Sequence, residues 1–180
     1  MLDRNHTVLV VIDAQERMLP AIDQADHVLD NLGRLIDGCH ELGIPMLVTE
    51  HYSKGLGPTV ATVREKMKEW YRPIEKITFS ACDNVFFMQQ LETVAHQHVI
   101  LCGVETHVCI YQTAIDLRNL GYNVEVAADA VGSRAPGNHQ LAIAKMLRIG
   151  VELTSTEMAL FEMMGSADIP EFKAVAKIVK

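Results

Sequence analysis

Short apolar runs alternate with longer segments in which apolar residues recur at helical spacing, and this alternation is the feature that most constrains the fold. The first run, residues 8–12, is apolar and mostly β-branched, which is typical of a strand buried on both faces of a sheet. The next segment, 28–42, repeats apolar residues at helical spacing and ends at Gly43. A strand followed by a helix, many times over, predicts a parallel sheet covered by helices.

The same alternation continues along the rest of the chain. We expect six strands, at 8–12, 45–49, 74–78, 98–102, 124–127 and 151–154. Helices are expected near 28–42, 63–70, 85–95, 107–120, 140–149, 157–164 and 171–178, with a glycine-rich loop at 50–60. Because no linker or repeat interrupts this pattern, the sequence predicts one domain, 1–180. Its expected fold is α/β: a three-layer αβα, Rossmann-like arrangement around a six-stranded parallel sheet.

Composition and charge exclude several classes of protein. With 180 residues, 49% of them apolar and 22% charged, the chain can bury a core without disulfides or metals. Its net charge of −7 argues against nonspecific binding to a nucleic-acid backbone, and only a salt-sensitive RNA affinity would revive an RNA-processing role. No apolar run is long enough for a membrane helix, and the first residues do not resemble a signal peptide. We therefore expect a cytoplasmic protein with no membrane or nucleic-acid partner.

Four cysteines are present, and no two of them form a C-x-x-C pair. They are Cys39, Cys82, Cys102 and Cys109. Zinc ribbons and redox dithiol motifs are therefore not supported, and four free thiols in a reducing compartment are expected. The first three are expected to be small buried or inert side chains.

Polar residues stand where three of the predicted strands end. In a parallel α/β sheet, ligands bind beyond the carboxyl ends of the strands. Asp13 directly follows a buried apolar strand, which is costly unless the carboxylate is paired, although it could simply cap the next turn. Lys76 lies in the third strand region and could equally be a solvated surface lysine.

Cys109 is expected in the first turn of a helix, shortly after Gly103 lets the backbone turn sharply. The positive end of a helix dipole lowers the pKa of a thiol, and the thiolate is the nucleophile. The free N–H groups of such a turn can also stabilise an oxyanion. The alternative is that Cys109 is a small buried apolar residue. If Asp13, Lys76 and Cys109 meet, the acid can take the thiol proton and the lysine favours both anions.

The segments around these three residues resemble the isochorismatase-like cysteine hydrolase superfamily, which includes nicotinamidases and N-carbamoylsarcosine amidohydrolases. The matching motifs are V-V-I-D-A-Q at 10–15, E-K-I-T-F-S at 75–80, C-G-V-E-T-H-V-C at 102–109, Q-T-A-x-D-L at 112–117 and D-A-V-x-S-R at 129–134. The resemblance covers nearly the whole chain, and its specific part is the cysteine segment with the motif that follows it. The loop T-E-H-Y-x-K-G-L-G at 49–57 is most similar to the branch named isochorismatase domain-containing proteins.

The resemblance implies a role for each of the three residues. Cys109 is the implied nucleophile, Asp13 the general base and later acid, and Lys76 the charge that holds the pair. It also implies a cis peptide between Val104 and Glu105, which directs the Glu105 and Cys109 N–H groups into one oxyanion hole. These roles predict a cofactor-free hydrolase acting on a carbon–nitrogen, amide-like bond of a small molecule.

A second function remains open: a catalytically idle, homo-oligomeric scaffold that keeps the fold. The amphipathic tail at 169–180 and the methionine-rich stretch at 158–164 could be subunit contacts, or ordinary core packing. We expect a homo-oligomer in either case, because members of the superfamily usually assemble.

Two departures from the superfamily pattern limit the chemistry. Nicotinamidases carry a metal site built on D-x-H in the loop after the second strand, but here that loop contains only His51. The resemblance therefore predicts no catalytic metal and no cofactor, and argues against nicotinamidase activity. Isochorismatases lack the cysteine, so Cys109 argues against vinyl-ether hydrolysis.

The substrate is expected to contact side chains near the strand ends. The candidates are Gln15, Tyr52 and Phe79. Trp70 and Tyr71 could also shape the pocket mouth, or pack against a neighbouring subunit. His107 should point away from the thiol, since it lies two residues earlier, and we expect a helix-start or interface residue rather than a base.

Overall fold

The computed structural model describes all 180 residues and contains one six-stranded parallel sheet. The strands are β1 (Thr7–Ile12), β2 (Met46–His51), β3 (Ile74–Lys76), β4 (His98–Val104), β5 (Asn123–Gly132) and β6 (Glu152–Thr154). Their order across the sheet is β3-β2-β1-β4-β5-β6, and every neighbouring pair is parallel. The predicted parallel α/β sheet is therefore confirmed.

Eight α-helices connect and cover the strands. They are α1 (Ala25–Leu42), α2 (Ser53–Leu56), α3 (Ala61–Met67), α4 (Val85–Val94), α5 (Tyr111–Asn119), α6 (Pro136–Arg148), α7 (Thr156–Met164) and α8 (Phe172–Ile178). None of them combines the length and the apolar character that crossing a lipid bilayer requires.

The uninterrupted apolar run of β1 is explained by the two layers of helices. Its side chains alternate in direction, as in any strand. Leu9 and Val11 belong to the core shared with α1, α3, α7 and α8, whereas Val8, Val10 and Ile12 belong to the core shared with α4, α5 and α6. All five are fully buried, so β1 is the centre of a three-layer αβα structure.

Several elements differ in extent from the prediction. β5 continues to Gly132, beyond the end of its pairing with β6, because Val131 and Gly132 pair with the end of β4. α6 begins at Pro136 rather than near residue 140, since proline is well suited to the first turn of a helix. The loop expected at 50–60 contains the short helix α2.

The chain reverses its direction of progress across the sheet at β1 and β4, which lie side by side. Such a switch point opens a crevice beyond the carboxyl ends of the two strands. Gly103 of β4 lies opposite Ile12 of β1, with a φ of 112°. A Cβ atom on Gly103 would lie 2.0 Å from the Ile12 carbonyl oxygen, so only glycine allows this close approach.

Candidate active site

Asp13 follows β1 at the crevice and is completely buried. Its backbone is left-handed, with a φ of 50°, and its N–H donates to the carbonyl of Thr49 at 3.2 Å. The carboxylate accepts from Lys76 Nζ at 2.6 Å on one oxygen and from Thr49 Oγ1 at 2.7 Å on the other. Asp13 is therefore paired rather than a simple turn cap, as a fully buried carboxylate requires.

Lys76 is the last residue of β3, and its side chain is also completely buried. Besides Asp13, its ammonium group donates to the carbonyls of Thr78 and Phe79, both at 3.2 Å. A lysine ammonium has three protons, and each has an acceptor here. The surface-lysine alternative is therefore wrong.

Cys109 lies in a π-helical turn, Thr106–Ile110, that leads directly into α5. The N–H groups of Val108 and Ile110 both donate to the carbonyl of Glu105. A single π-helical turn at a helix start is frequently a functional feature. The charges of Asp13 and Lys76 both influence the pKa of the Cys109 thiol, which places the thiol beside the buried ion pair.

The resting state of the thiol differs from the expectation. Burial, and after it the negative charge of Asp13, raise the pKa of Cys109 to about 12, although the charge of Lys76 opposes this shift. The prediction that the helix terminus lowers this pKa is wrong, because the thiol is only 3% exposed and desolvation dominates. At neutral pH the resting Cys109 is a neutral thiol next to an acceptor carboxylate.

The other three cysteines are also free thiols, and two of them donate to backbone carbonyls: Cys82 to Thr113 at 3.9 Å and Cys102 to Val10 at 3.6 Å. Burial raises the pKa of Cys39 and of Cys102, and raises that of Cys82 to about 12. Cys39 and Cys102 are buried, as expected of small apolar side chains, whereas Cys82 is only partly buried.

Two threonines organise the site, and sequence reasoning missed both. Thr49 holds the Asp13 carboxylate as described above. Thr113, one turn after Cys109 on α5, accepts a hydrogen bond from the N–H of Ala81 at 2.9 Å. This bond ties the loop that follows Lys76 to the helix that follows the cysteine. The Q-T-A segment was recognised only as part of a motif, since nothing local indicates the partner of its threonine.

The peptide bond between Val104 and Glu105 is cis. Glu105 Oε1 accepts a hydrogen bond from the backbone N–H of Arg134 at 3.2 Å and forms an ion pair with Arg134 Nε at 3.3 Å. Two further bonds connect the turn to its surroundings: His107 Nδ1 with Ser133 Oγ, and His139 Nδ1 with Thr106 Oγ1, both at 3.0 Å. The turn that carries Cys109 is thus held from the β5–α6 side.

The three residues expected to contact substrate have different surroundings. Gln15 is fully buried, and its amide bonds both the N–H and the carbonyl of His51 and the carbonyl of Gly57. Gln15 therefore anchors the loop after β2. Tyr52 and Phe79 are each about half exposed, at 51% and 50%, and the Phe79 ring stacks on His51.

Trp70 and Tyr71 do not contact the three central residues. Trp70 lines a cavity of about 790 Å³ between the β3 edge of the sheet and α4, and neither Asp13, Lys76 nor Cys109 borders that cavity. The Tyr71 hydroxyl donates to Glu50 at 2.8 Å, and burial raises the pKa of Tyr71. The structure holds no group of three or more histidine, cysteine or acidic side chains that could bind a metal ion.

Comparisons with known proteins identify the family of this chain. The family model described as "Isochorismatase domain" matches residues 7–158. "Isochorismatase domain-containing protein 2" of Danio rerio is 37% identical over 178 residues, which cover 99% of this chain and 89% of that protein.

Solved structures agree with this relationship. The structure described as "MAR1 Ribonuclease" from Caenorhabditis elegans has a TM-score of 0.93 and 38% identity, with 99% of this chain and 91% of that chain covered. YcaC from Pseudomonas aeruginosa, described with hexane-2,5-diol and covalent acrylamide, has a TM-score of 0.92, 24% identity and coverage of 98% and 90%. YcaC from Escherichia coli, described as an octameric hydrolase of unknown specificity, has a TM-score of 0.92, 22% identity and coverage of 98% and 89%. This chain belongs to the isochorismatase family.

Proposed function

We propose that the protein is a cofactor-free cysteine hydrolase that cleaves a carbon–nitrogen, amide-like bond of a small molecule. The observation that carries this proposal is the buried ion pair of Asp13 and Lys76, together with a buried Cys109 thiol whose pKa both of these charges influence. A thiol beside a positioned base is the arrangement that activates a cysteine nucleophile.

In the first half of the reaction, Asp13 takes the thiol proton, and the sulfur attacks the carbonyl carbon of the substrate. The N–H groups of Glu105 and Cys109 are proposed to stabilise the oxyanion, a contribution of about 3 kcal/mol for each donor. Collapse of the tetrahedral intermediate breaks the carbon–nitrogen bond, and Asp13 returns the proton to the leaving amine. A thioester on Cys109 remains.

In the second half, Asp13 takes a proton from water, and the hydroxide attacks the thioester. The acid is released, and the proton returns to the sulfur. Lys76 keeps its three hydrogen bonds throughout, so its charge stabilises whichever partner is anionic.

Access to the thiol shapes the substrate class. Because Cys109 is only 3% exposed, a bulky substrate could not reach the sulfur without movement of the surrounding loops. The half-exposed Tyr52 and Phe79 are the proposed contacts at the entrance, and Gln15 acts by holding the Tyr52 loop.

Acrylamide is a suitable probe, since covalent acrylamide is described for YcaC of P. aeruginosa. It is a small amide, and thiolate addition to its double bond reports proton removal from the cysteine. Peptide mass spectrometry should find modification of Cys109 before Cys39, Cys82 or Cys102, because no lysine influences the pKa of the other three thiols, whereas Cys109 lies near both Asp13 and Lys76. Asp13→Asn should slow this modification at least about 100-fold.

Turnover is then tested by incubating the protein with a panel of small primary amides and measuring released ammonia. Cys109→Ala is the matched control and should release none. If Cys109 is modified no faster than the other thiols, or if Asp13→Asn leaves its rate unchanged, the proposed mechanism is wrong.

Self-association is proposed as well. Val85 and Phe86 on α4 and Ile77 after β3 are 67 to 72% exposed, which leaves apolar side chains in water near one edge of the sheet. YcaC of E. coli is described as octameric. The idle-scaffold alternative stays open, because the two segments on which it rests are only partly buried: Val175 and Met163 are buried within this chain, whereas Met158 and Phe161 are 55% and 40% exposed. Light scattering of wild type and Cys109→Ala measures assembly independently of catalysis.

An RNA-cleaving function is the second candidate, and it rests on the description of the C. elegans structure as a ribonuclease. The charge of −7 opposes binding to a phosphate backbone. Incubation with labelled single-stranded RNA tests this function, with Cys109→Ala as control: cleavage by the wild type alone would favour it over amide hydrolysis.

We also propose a cytoplasmic location, because four free thiols suit a reducing compartment.

A further inference from the structure

Thr49 contacts Asp13 through both its side chain and its backbone. We propose that Thr49 is a positioning residue whose hydroxyl locks the Asp13 carboxylate in the orientation from which it takes the Cys109 proton. This inference rests on the proposed function and adds a fourth residue to the three that the sequence indicated.

Thr49 holds Asp13 at two points, the carboxylate and the backbone N–H. Thr49 is fully buried, and it lies opposite Ile12, the residue before Asp13, in the pairing of β2 with β1. Its hydroxyl donates to Asp13 Oδ1 at 2.7 Å, and its carbonyl accepts from the Asp13 N–H at 3.2 Å. One residue therefore holds both ends of Asp13 where the backbone leaves the strand with a positive φ.

The remaining charged and titratable groups around the carboxylate each have a defined place. Lys76 holds Oδ2 from β3, at 2.6 Å, and Cys109 approaches from the π-helical turn. His51, two residues after Thr49 on β2, packs on Phe79, whose carbonyl accepts from Lys76. The carboxylate is thus held by a cation on one oxygen and by a neutral hydroxyl on the other.

The protons of Lys76 and Thr49 are all engaged in hydrogen bonds. All three ammonium protons of Lys76 have acceptors, and the single hydroxyl proton of Thr49 is donated to Asp13. In the proposed step, the proton that moves to Asp13 is the thiol proton of Cys109, while Lys76 and Thr49 keep theirs. In that step the S–H bond breaks, an O–H bond forms on the carboxylate, and the sulfur keeps the electron pair for its attack on carbon.

The experiment compares Thr49→Val with Thr49→Ser by the rate of acrylamide addition to Cys109 across pH. Valine keeps the β-branched shape of the side chain but leaves Oδ1 without its donor, whereas serine keeps the hydroxyl. An ionised carboxylate that loses a buried donor is harder to form, so the acidic limb of the Thr49→Val profile should move up by about one pH unit. The plateau rate should fall about tenfold, because Lys76 alone then orients the carboxylate, through one of its two oxygens. Thr49→Ser should keep both properties.

Several results would overturn the inference. If the acidic limb of the pH profile is the same for Thr49→Val and the wild type, the hydroxyl has no role. If the acidic limb moves equally in Thr49→Ser and Thr49→Val, the effect comes from packing and not from the hydroxyl. If circular dichroism shows that Thr49→Val is unfolded, Thr49→Ala replaces it. The acidic limb of the Thr49→Ala profile should move by the same amount. If acrylamide does not add to Cys109 of the wild type, the proposed function itself is what fails. If it adds to Cys109 equally fast in all Thr49 variants, only the role of Thr49 fails.

Discussion

Removing the charge of Lys76 tests how much its ion pair with Asp13 contributes to the stability of the protein. Lys76 Nζ and Asp13 Oδ2 are 2.6 Å apart with both side chains fully buried, so at an effective dielectric constant of about 20 their attraction is about 6 kcal/mol. Part of that attraction offsets desolvation, and breaking a buried pair typically costs about 3–5 kcal/mol. Lys76→Met should therefore lower the free energy of unfolding by about 4 kcal/mol in urea denaturation at pH 7.

The double variant Asp13→Asn/Lys76→Met separates charge from packing. It leaves no buried charge at the pair, so it should lose at least about 2 kcal/mol less than the sum of the two single variants. Additive losses, or a Lys76→Met cost below about 1 kcal/mol, would refute a stabilising ion pair.

Two further predictions concern backbone geometry and pH. Gly103→Ala should cost about 3 kcal/mol in thermal or urea unfolding, because the new methyl group meets the Ile12 carbonyl. Gly121→Ala, at a φ of 93° with open space around it, should cost only about 1 kcal/mol, and equal losses would show that the close contact is unimportant. Burial and two neighbouring glutamates raise the pKa of Glu125 to about 7. The folded state therefore holds a proton that the unfolded state releases, and the free energy of unfolding falls as the pH rises from about 4.5 to 7. Glu125→Gln should therefore stabilise the protein by about 1–2 kcal/mol at pH 8 but not at pH 5, and an equal gain at both pH values would contradict this.

A neutral resting thiol has a consequence for reactivity. A cysteine with a lowered pKa reacts with any accessible electrophile, whereas Cys109, with a pKa raised to about 12, reacts in the proposed mechanism only after Asp13 takes its proton. Reaction is therefore tied to molecules small enough to reach a sulfur that is 3% exposed. Selectivity in this site is expected to come from access and proton transfer rather than from a permanently charged nucleophile.

The sequence by itself determined the layered α/β fold and the identity of three central residues. The alternation of strand and helix patterns depends on local spacing, and buried parallel strands require apolar residues at every position, as in β1. Asp13, Lys76 and Cys109 could be chosen because parallel strands end at one edge of the sheet, and the resemblance to the family placed each in a recognised motif.

Only the tertiary structure decided what these residues do to one another. Thr49 was predicted merely as a strand residue, and its hydrogen bond to Asp13 exists because β2 pairs with β1 in one particular register. Gln15 was expected to contact substrate, yet its amide is engaged by the loop after β2. The pKa of Cys109 was misjudged because the helix terminus can be read from local sequence, whereas desolvation depends on every segment packed around the sulfur. Periodicity is a property of neighbouring residues, but burial and hydrogen-bond partners are set by segments far apart in the chain.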